Sequence, residues 1–329
     1  MIGALGALLR SVTAPTTRGL FHVLQLPGAA AYYVGRDSSG SAAVLVRASD
    51  TGRTVPLRLA GIEARFGIPC NVAEPGSPER TETLTAILCL SRDAGIETYF
   101  ASAVESLIAV LGPKPTTLQV GEAVQRLVDL FQKLQKPPRR PLAGLVGELC
   151  VIRAARSAAV AVSAWRAEPD DRYDFVSGRL RVEAKASSDR HRSHNLSFEQ
   201  ANPPLGVFGL LASIWIEAAG GGTSLRELLD GIEARLSADH ADVMRLRSAV
   251  AETLGDTLLA AMDWHFDLTL AESSLAWFDM RAVPAIRAPS PARVSGIRFV
   301  SDVDASPRLD LAIFSQLLDS SEIGLLPRH

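Results

Sequence analysis

The chain has 329 residues, of which 47% are hydrophobic and 21% are charged. This length suits two domains or one elaborate domain, and it can bury a core without disulfides or structural metals. Three widely separated cysteines form no CxxC pair, which excludes a disulfide framework and argues against a cysteine zinc site. The formal net charge of −2 excludes a uniformly basic nucleic-acid-binding protein but leaves room for a local basic patch.

The N-terminus does not match a secretion signal. Its apolar stretch comes before the first positive charge, Arg10, whereas a signal peptide has the opposite order. We find no apolar run of the ~18 residues that a membrane-spanning helix needs. Together with the cysteine pattern, these features predict a cytoplasmic protein without a membrane partner.

The first 110 residues contain short apolar runs separated by turn residues, a pattern that predicts β-strands. The predicted strands of this region are 30–35, 42–47, 55–59 and 86–90. Helical spacing follows, weaker over 99–111 and strongest over 117–135, and the Pro- and Arg-rich segment 136–141 stops any helix. We therefore predict a β-rich N-terminal lobe over residues 1–138, which ends in a helix.

The rest of the chain mixes helical and strand patterns. A helix is predicted from Leu142 to about Ala158, and 206–216 is typical of a buried central strand. The other predicted elements are strands 172–176, 179–186, 275–283, 294–300 and 309–314, helices 224–236 and 241–254, and a loop at Gly220–Gly222. These patterns predict an α/β (α+β mixed) protein with a central core, 139–217, and a C-terminal α/β extension, 218–329.

One predicted hairpin carries the candidate chemistry. If Ser177–Gly178 is a two-residue turn, Asp174 lies opposite Arg181, and Glu183 is its diagonal neighbour about 7–8 Å away by Cα. Lys185 follows Glu183 by two residues and therefore shares that face of the sheet. The opposite face is apolar, so the hairpin is expected to separate a buried side from a side that carries two acids and a lysine.

Two carboxylates and a lysine on one sheet face suit metal-dependent hydrolysis of phosphodiesters. Mg²⁺ binds through one or two carboxylates plus substrate phosphate, lowers the pKa of a bound water and stabilises charge on the phosphoryl oxygens. The lysine can polarise that water, and only four of the 34 basic residues are lysines, so an ammonium at Lys185 is notable. The alternative is a solvated strand face with ordinary cross-strand ion pairs.

These residues resemble the PD-(D/E)XK nuclease superfamily, whose pattern is a helix Glu, a strand Asp and then Glu-x-Lys. Glu148 matches the helix acid, Asp174 the strand acid and Glu183-Ala184-Lys185 the signature, while Gln200 matches a helix glutamine beside the active site. More narrowly, most of the chain resembles a bacterial family of PD-(D/E)XK motif proteins found in restriction-modification and phage-defence neighbourhoods. One departure is that Tyr173 stands where the pattern has proline.

The resemblance implies a restriction-endonuclease-like core, which is a mixed sheet flanked by helices, and a Mg²⁺-dependent endonuclease that acts on DNA, with Mn²⁺ able to substitute. The metal ligands that it implies are Asp174, Glu183, the Ala184 carbonyl and Glu148, the last of which would complete or orient the site. Lys185 would act on the attacking water, and Gln200 would position the substrate or the lysine.

Three of the candidate residues have simpler interpretations. Without the resemblance, Glu148 at the border of an apolar stripe would be expected to pair with an arginine or to extend to solvent. His191 and His194 have a spacing that suggests zinc ligation, yet no Cys or acid lies at metal spacing nearby, so a solvated loop is favoured. Both histidines could instead contact phosphate near the site.

The charge distribution is compatible with DNA binding. From Lys133 to Gln200 there are 13 Lys and Arg against 8 Asp and Glu. The candidate phosphate contacts are Arg139, Arg140, Arg179, Arg181, Arg190 and Arg192, with ordinary surface arginines as the alternative. Two functions stay open: a nuclease that works with other defence-system proteins, such as ATPase or methyltransferase subunits, and is possible as a homodimer; or a weak or inactive DNA-binding scaffold subunit of such a complex.

Overall fold

The protein is seen here in a computed structural model that describes residues 4–52, 54–138, 141–166, 171–236, 240–287 and 293–328. The chain divides into two compact units, Met1–Pro137 and Pro138–His329. The further division of the second unit near residue 217 stays a prediction.

The first unit is built around a closed β-sheet. Its strands are β1 (Leu20–Gln25), β2 (Tyr32–Asp37), β3 (Ala42–Val46), β4 (Leu57–Leu59), β5 (Ile62–Ala73) and β6 (Arg80–Cys89). They are ordered β1-β2-β3-β6-β5-β4, and a parallel pairing of β1 with β5 closes the sheet into a barrel. Closure pairs strand edges that an open sheet would expose. Apolar side chains such as Val23, Tyr33, Leu45 and Leu84 form one core cluster.

Three helices belong to the first unit: α1 (Ala4–Ser11), α2 (Ala94–Leu111) and α3 (Thr117–Lys133). α3 begins at a capping box between Thr116 and Gln119. By length and composition alone, α2 is long and apolar enough to cross a membrane. In the structure it packs against α1 and α3 and buries Phe100, Val104 and Leu107, which is how the core helix of a folded unit is packed.

The second unit contains a four-stranded mixed sheet. The strands of the whole second unit are β7 (Phe175–Ser177), β8 (Leu180–Ser187), β9 (Ser193–Ser197), β10 (Phe208–Trp215), β11 (Ala218–Ser224), β12 (His265–Phe266), β13 (Ala276–Asp279) and β14 (Arg298–Asp302). The main sheet has the order β13-β10-β8-β7, in which only the β8–β10 pair is parallel. β9 pairs with β14, and β11 with β12, in two separate ribbons.

Helices cover this sheet, which confirms the predicted α/β class. They are α4 (Leu142–Ala154), α5 (Ala158–Ala164), α6 (Phe198–Ala201), α7 (Leu225–Arg235), α8 (His240–Leu254), α9 (Leu258–Ala261), α10 (Leu268–Ser274), α11 (Leu311–Phe314) and α12 (Ser320–Ile323). α4 lies on β8 and β10. A Cβ at Gly147 would be 3.2 Å from the Ala186 Cβ and from the Ile214 Cγ2, so glycine permits this close approach. The next residue, Glu148, is thereby buried close to the sheet.

Two predicted elements in the C-terminal part are wrong. Gly220–Gly222 lies in strand β11 and not in a loop: β12 pairs with Ala218, Thr223 and Ser224, and the glycines fill the bulge between these partners. The predicted strand 309–314 is the helix α11. The Asp310 side chain accepts hydrogen bonds from the Ala312 and Ile313 backbone amides, and this cap favours a helix over an edge strand.

The helix predicted over 142–158 ends earlier, at Ala154. A second helix, α5, begins after Ser157, whose Oγ accepts a hydrogen bond from the Val160 amide. This N-cap competes with continuation of the first helix and separates the two.

The turn of the β7–β8 hairpin lies one residue later than predicted. Ser177 pairs with Leu180, so the turn residues are Gly178 and Arg179. Gly178 has a φ of 52°, and Arg179 is not among the residues with positive φ, which is the pattern of a type II′ turn. Glycine at the first turn position therefore fixes the register of this hairpin.

Candidate active site

The observed register brings the two strand acids closer than predicted. When the pairing is extended one residue beyond β7, Asp174 lies directly opposite Glu183, where the predicted register had Arg181. Cβ atoms of directly opposite residues are about 4.5–5.5 Å apart. Because a one-residue shift of the turn moves every partner by two positions, each side chain keeps its predicted face.

Glu183 forms an ion pair with Lys185. The Lys185 Nζ lies 2.6 Å from the Glu183 Oε1, and Glu183 is buried while Lys185 is partly exposed. The pKa of Glu183 is raised to about 7, first by burial and then by the negative charge of Asp174, against the lowering effect of Lys185. Lys185 alone therefore does not offset the cost of burying two neighbouring acids. A carboxyl group whose pKa is raised by burial and by a like charge is typical of functional sites.

The backbone at Ala184 faces the edge of β8 where Asp174 lies. The Ala184 N–H donates a hydrogen bond to the Asp174 Oδ2 at 3.0 Å. In an extended strand the N–H and C=O of one residue point to the same side, so the Ala184 carbonyl oxygen also points to this edge. The hairpin thus offers two carboxylates and one carbonyl, all oxygen donors of the kind that Mg²⁺ prefers.

Glu148 enters the site from α4 and is held by two donors. The Trp165 Nε1 donates to its Oε2 at 2.6 Å, and the Arg166 Nη2 lies 2.9 Å from Oε1 and 2.7 Å from Oε2. The Arg166 backbone N–H donates to the Asp174 carbonyl oxygen at 2.8 Å. Arg166 therefore connects the helix acid to the segment that carries the strand acid. An arginine partner for Glu148 was expected, but neither Arg166 nor Trp165 belongs to a motif that would have identified it.

A metal ion on this hairpin would have few protein ligands. Among the residues that the structure describes, no three His, Cys, Asp or Glu side chains form a group that could hold a metal. The Glu148 carboxylate is bonded to Arg166 and Trp165. The carboxylates of Asp174 and Glu183 belong to the hairpin. Since Mg²⁺ keeps several waters and needs only one or two carboxylates, the hairpin donors fit this ion without Glu148.

Gln200 is close to the Asp174 segment, but its side chain binds backbone. Its Oε1 accepts from the Ser197 N–H at 3.0 Å in a capping box, and its Nε2 donates to the Arg172 carbonyl at 2.7 Å. The Tyr173 hydroxyl donates to the Gln200 carbonyl at 2.8 Å. These contacts fix the chain that leads into Asp174. Tyr173, at the position where the family pattern has proline, thus holds this segment by a hydrogen bond. The role of Gln200 towards substrate stays a prediction.

His194 lies in strand β9 and is buried, so the predicted solvated loop is wrong at this residue. Its Nε2 is 2.7 Å from the Ser213 Oγ, and Ser213 pairs in register with Lys185 on the same face of the sheet. The pKa of His194 is lowered to about 4, chiefly by burial and further by the positive charges of Lys185 and Arg192. A neutral histidine thus lies beside the lysine, whereas His191 is exposed.

Arg192 is placed in the core and not at the surface. Its Nη1 donates to the Ser213 carbonyl and hydroxyl oxygens, both at 2.8 Å, and its guanidinium lies 4.7 Å from the centre of the Trp215 ring. A guanidinium that is buried and bonded in this way is not positioned to contact DNA, which corrects the sequence assignment. Arg139 and Arg140 lie outside the described residues.

The other three candidate DNA contacts are at least partly exposed. Arg179 is 3.3 Å from the Glu322 carboxylate, and Arg181 donates to neighbouring carbonyls of its own hairpin. The Arg190 Nε lies 2.6 Å from the Glu217 Oε1. Arg181 and Arg190 keep further donors that can reach a phosphate, so they stay candidates for DNA contact.

Comparisons with known proteins give one result. A family model described as "Putative PD-(D/E)XK family member, (DUF4420)" matches residues 16–304. Comparisons with curated proteins and with solved structures found no match. The matched region includes Glu148, the hairpin acids and Lys185, and it covers most of both units. The chain therefore belongs to this nuclease-like PD-(D/E)XK family and has a mixed α/β fold of the restriction-endonuclease-like class.

Proposed function

We propose that the protein is a Mg²⁺-dependent endonuclease that hydrolyses DNA phosphodiester bonds. The observation that carries this proposal is the hairpin itself, where Lys185 Nζ lies 2.6 Å from Glu183 Oε1 and the Ala184 N–H donates to the Asp174 Oδ2 at 3.0 Å. Two buried acids offer oxygen donors for a divalent ion, and the ammonium can act on a water. Membership of a nuclease-like family supports the same chemistry, and the same oxygen donors suit Mn²⁺.

In the proposed reaction a water oxygen attacks phosphorus and loses a proton to solvent, the bond from phosphorus to the leaving ester oxygen breaks, and that oxygen takes up a proton from solvent. A bound Mg²⁺ would lower the pKa of that water and offset charge on the phosphoryl oxygens. Asp174, Glu183 and the Ala184 carbonyl would hold the ion. Lys185 Nζ would hydrogen-bond the attacking water or a phosphoryl oxygen, and neutral His194 beside it adds no second cation.

The substrate and the setting are part of the same proposal. The partly exposed Arg181 and the exposed Arg190 would contact DNA phosphates, and Arg179 would do so from the hairpin turn. We place the enzyme in a bacterial cytoplasm, in restriction or phage defence, with partners such as ATPase or methyltransferase subunits. With the one site proposed here in each chain, cutting both strands would require a homodimer or two successive nicks.

One alternative has support of its own. The described residues contain no three-residue metal group, and Glu148 is bound by Arg166 and Trp165. Both observations favour a catalytically weak or inactive DNA-binding scaffold with the same fold.

Incubation of the full-length protein with supercoiled plasmid at low salt separates the two functions. The nuclease proposal expects nicked or linear DNA with Mg²⁺ or Mn²⁺ and intact plasmid with EDTA. Salt-sensitive binding of the plasmid without cleavage under any metal would contradict the nuclease and favour the scaffold.

A further inference from the structure

Strand β14 has one paired edge and one open edge. Within the part of the chain that the structure describes, it pairs with β9 alone. The Val303 N–H donates to the Arg192 carbonyl at 2.9 Å, and the Ile297 carbonyl accepts from the Phe198 N–H at 2.9 Å. Hydrogen-bonded and non-hydrogen-bonded pairs alternate along an antiparallel ladder. The odd-numbered residues of β14 therefore direct their backbone groups at β9, and the even-numbered residues direct theirs away from it.

The open edge consists of Arg298, Val300 and Asp302. Their N–H and carbonyl groups have no hydrogen-bond partner among the described residues. All three side chains are exposed, Val300 by 65%, whereas Phe299 packs against the core and Ser301 is buried. A strand edge with unpaired backbone groups and an exposed β-branched residue at its centre is a template for pairing with another strand.

We infer that β14 pairs with the β14 of a second copy of this chain, antiparallel and with the two-fold axis at Val300. Arg298 of each chain then lies opposite Asp302 of the other, and Val300 lies opposite its own copy. In such an arrangement each pair exchanges two main-chain hydrogen bonds, so every open N–H and carbonyl group of the edge is used. The two β9–β14 ribbons become one four-stranded sheet with an isologous interface.

Charge selects the second copy as the partner and fixes the register. Opposite charges directly across two strands are stabilising, and like charges are destabilising. Because only alternate residues offer backbone groups, the register can change only in steps of two residues. One step breaks both ion pairs, and two steps place Arg298 opposite Arg298 or Asp302 opposite Asp302. A parallel pairing in register would also bring like charges together.

The pairing has enough polar contacts for a specific dimer. Three residue pairs with two bonds each supply six main-chain hydrogen bonds, and two ion pairs are added to them. An interface of ordinary size has about 10 direct hydrogen bonds. The inference goes beyond the proposed function and does not rest on it. Such a dimer would contain the two sites that cutting both strands at once requires.

The test is sedimentation velocity of the full-length protein without DNA or metal, at concentrations up to about 100 µM. The wild type is expected to sediment as a dimer at the upper end of this range. Val300→Pro removes the N–H at the two-fold axis but no hydrogen bond to β9, so it should weaken dimerisation by about tenfold or more. The matched control, Val300→Thr, keeps the N–H and the β-branched shape and should dimerise like the wild type.

Charge reversal gives a gain that damage to the fold cannot imitate. Arg298→Asp and Asp302→Arg each place like charges opposite each other, so each variant alone should dimerise about tenfold or more weakly. An equimolar mixture of the two variants restores opposite charges in a heterodimer. The double variant Arg298→Asp/Asp302→Arg restores them in a homodimer. Both are expected to associate within about threefold of the wild type.

Three results would overturn the inference. A wild type that stays monomeric at about 100 µM would leave the open edge to a strand of another protein. A wild-type dimer that resists Val300→Pro would place the interface elsewhere, and so would charge-reversal variants that stay monomeric when mixed. Because no arm of this test uses cleavage, each of these results leaves the proposed nuclease standing, and a failed cleavage assay leaves the dimer standing.

Discussion

At the scale of single residues, the site depends on how each buried charge is compensated. Asp174, Glu183 and Lys185 could be assigned to one face from the sequence, because side chains alternate along a strand and a register error of two positions keeps that alternation. Arg166 could not be assigned to Glu148, because it lies 18 residues away in a segment without a motif. A count of basic and acidic residues likewise could not show that Arg192 is buried.

His194 makes the stability of the protein depend on pH. Its pKa is about 4 in the folded state and 6.5 in the unfolded chain, so the unfolded chain binds the proton first as pH falls. The stabilising contribution is complete above pH 6.5 and is lost as pH falls towards 4, by about 3 kcal/mol at most. His194→Gln should remove this part of the pH dependence in urea unfolding measured from pH 7.5 to 4.

His191→Gln is the control for that series. The His191 side chain is 75% exposed, so the substitution removes a histidine without touching the buried contact to Ser213. Its pH profile should follow the wild type. A His194→Gln profile that also follows the wild type would contradict the buried, neutral histidine.

At the scale of elements, two glycines and one distant acid place the site. The turn at Gly178 sets the hairpin register, and Gly147 lets α4 approach β8. The Arg179 N–H donates to Glu322 Oε1 at 2.6 Å, so α12 holds the hairpin turn from the end of the chain. Helix α4 and the two hairpin strands could be predicted from local patterns, but the position of the turn could not. Either residue pair around Gly178 is a good turn, and the contact with Glu322, 143 residues away, belongs to the tertiary fold.

Gly147 and Gly144 are a matched pair in α4. A Cβ at Gly147 meets Ala186 and Ile214 at 3.2 Å, whereas a Cβ at Gly144 meets nothing within 4 Å. Alanine improves helix propensity at both positions, but at Gly147 it must also push α4 from the sheet. We expect Gly144→Ala to be more stable than Gly147→Ala by about 1–2 kcal/mol in urea unfolding. Equal stabilities would contradict the close packing that places Glu148.

At the scale of the whole molecule, local patterns in the first unit predicted β2, β3, β4 and the end of β6, but they missed β1 and β5 and therefore the closure of the sheet into a barrel. The pairing of β1 with β5 joins residues about 50 apart, and no local pattern encodes it. The surplus of basic residues in the sequence around the site also overstates the positive charge that DNA could contact. Arg192 is buried and Arg166 is paired with Glu148, so neither of these two guanidinium groups is available to DNA.

DNA binding should therefore depend on salt through the exposed arginines. Arg181→Gln and Arg190→Gln are each expected to reduce the slope of log K against log salt by about 1, because each removes one phosphate contact. Fluorescence anisotropy of a labelled duplex at several salt concentrations measures this slope.

Arg192→Gln separates surface charge from buried charge in the same assay. It should lower the thermal stability and leave the salt slope unchanged, because its guanidinium bonds to Ser213 inside the protein. A reduced slope for Arg192→Gln, with unchanged slopes for the two exposed variants, would contradict this assignment.

If the β7–β8 hairpin is the catalytic centre, the rate of plasmid cleavage in saturating Mg²⁺ must depend on its side chains. The wild type is compared with Asp174→Asn, with Lys185→Ala and with Lys114→Ala, which removes an exposed lysine of the first unit. We expect losses of about 10² or more for the two hairpin variants and a wild-type rate for Lys114→Ala. Equal cleavage by all four proteins would contradict a catalytic centre on this hairpin.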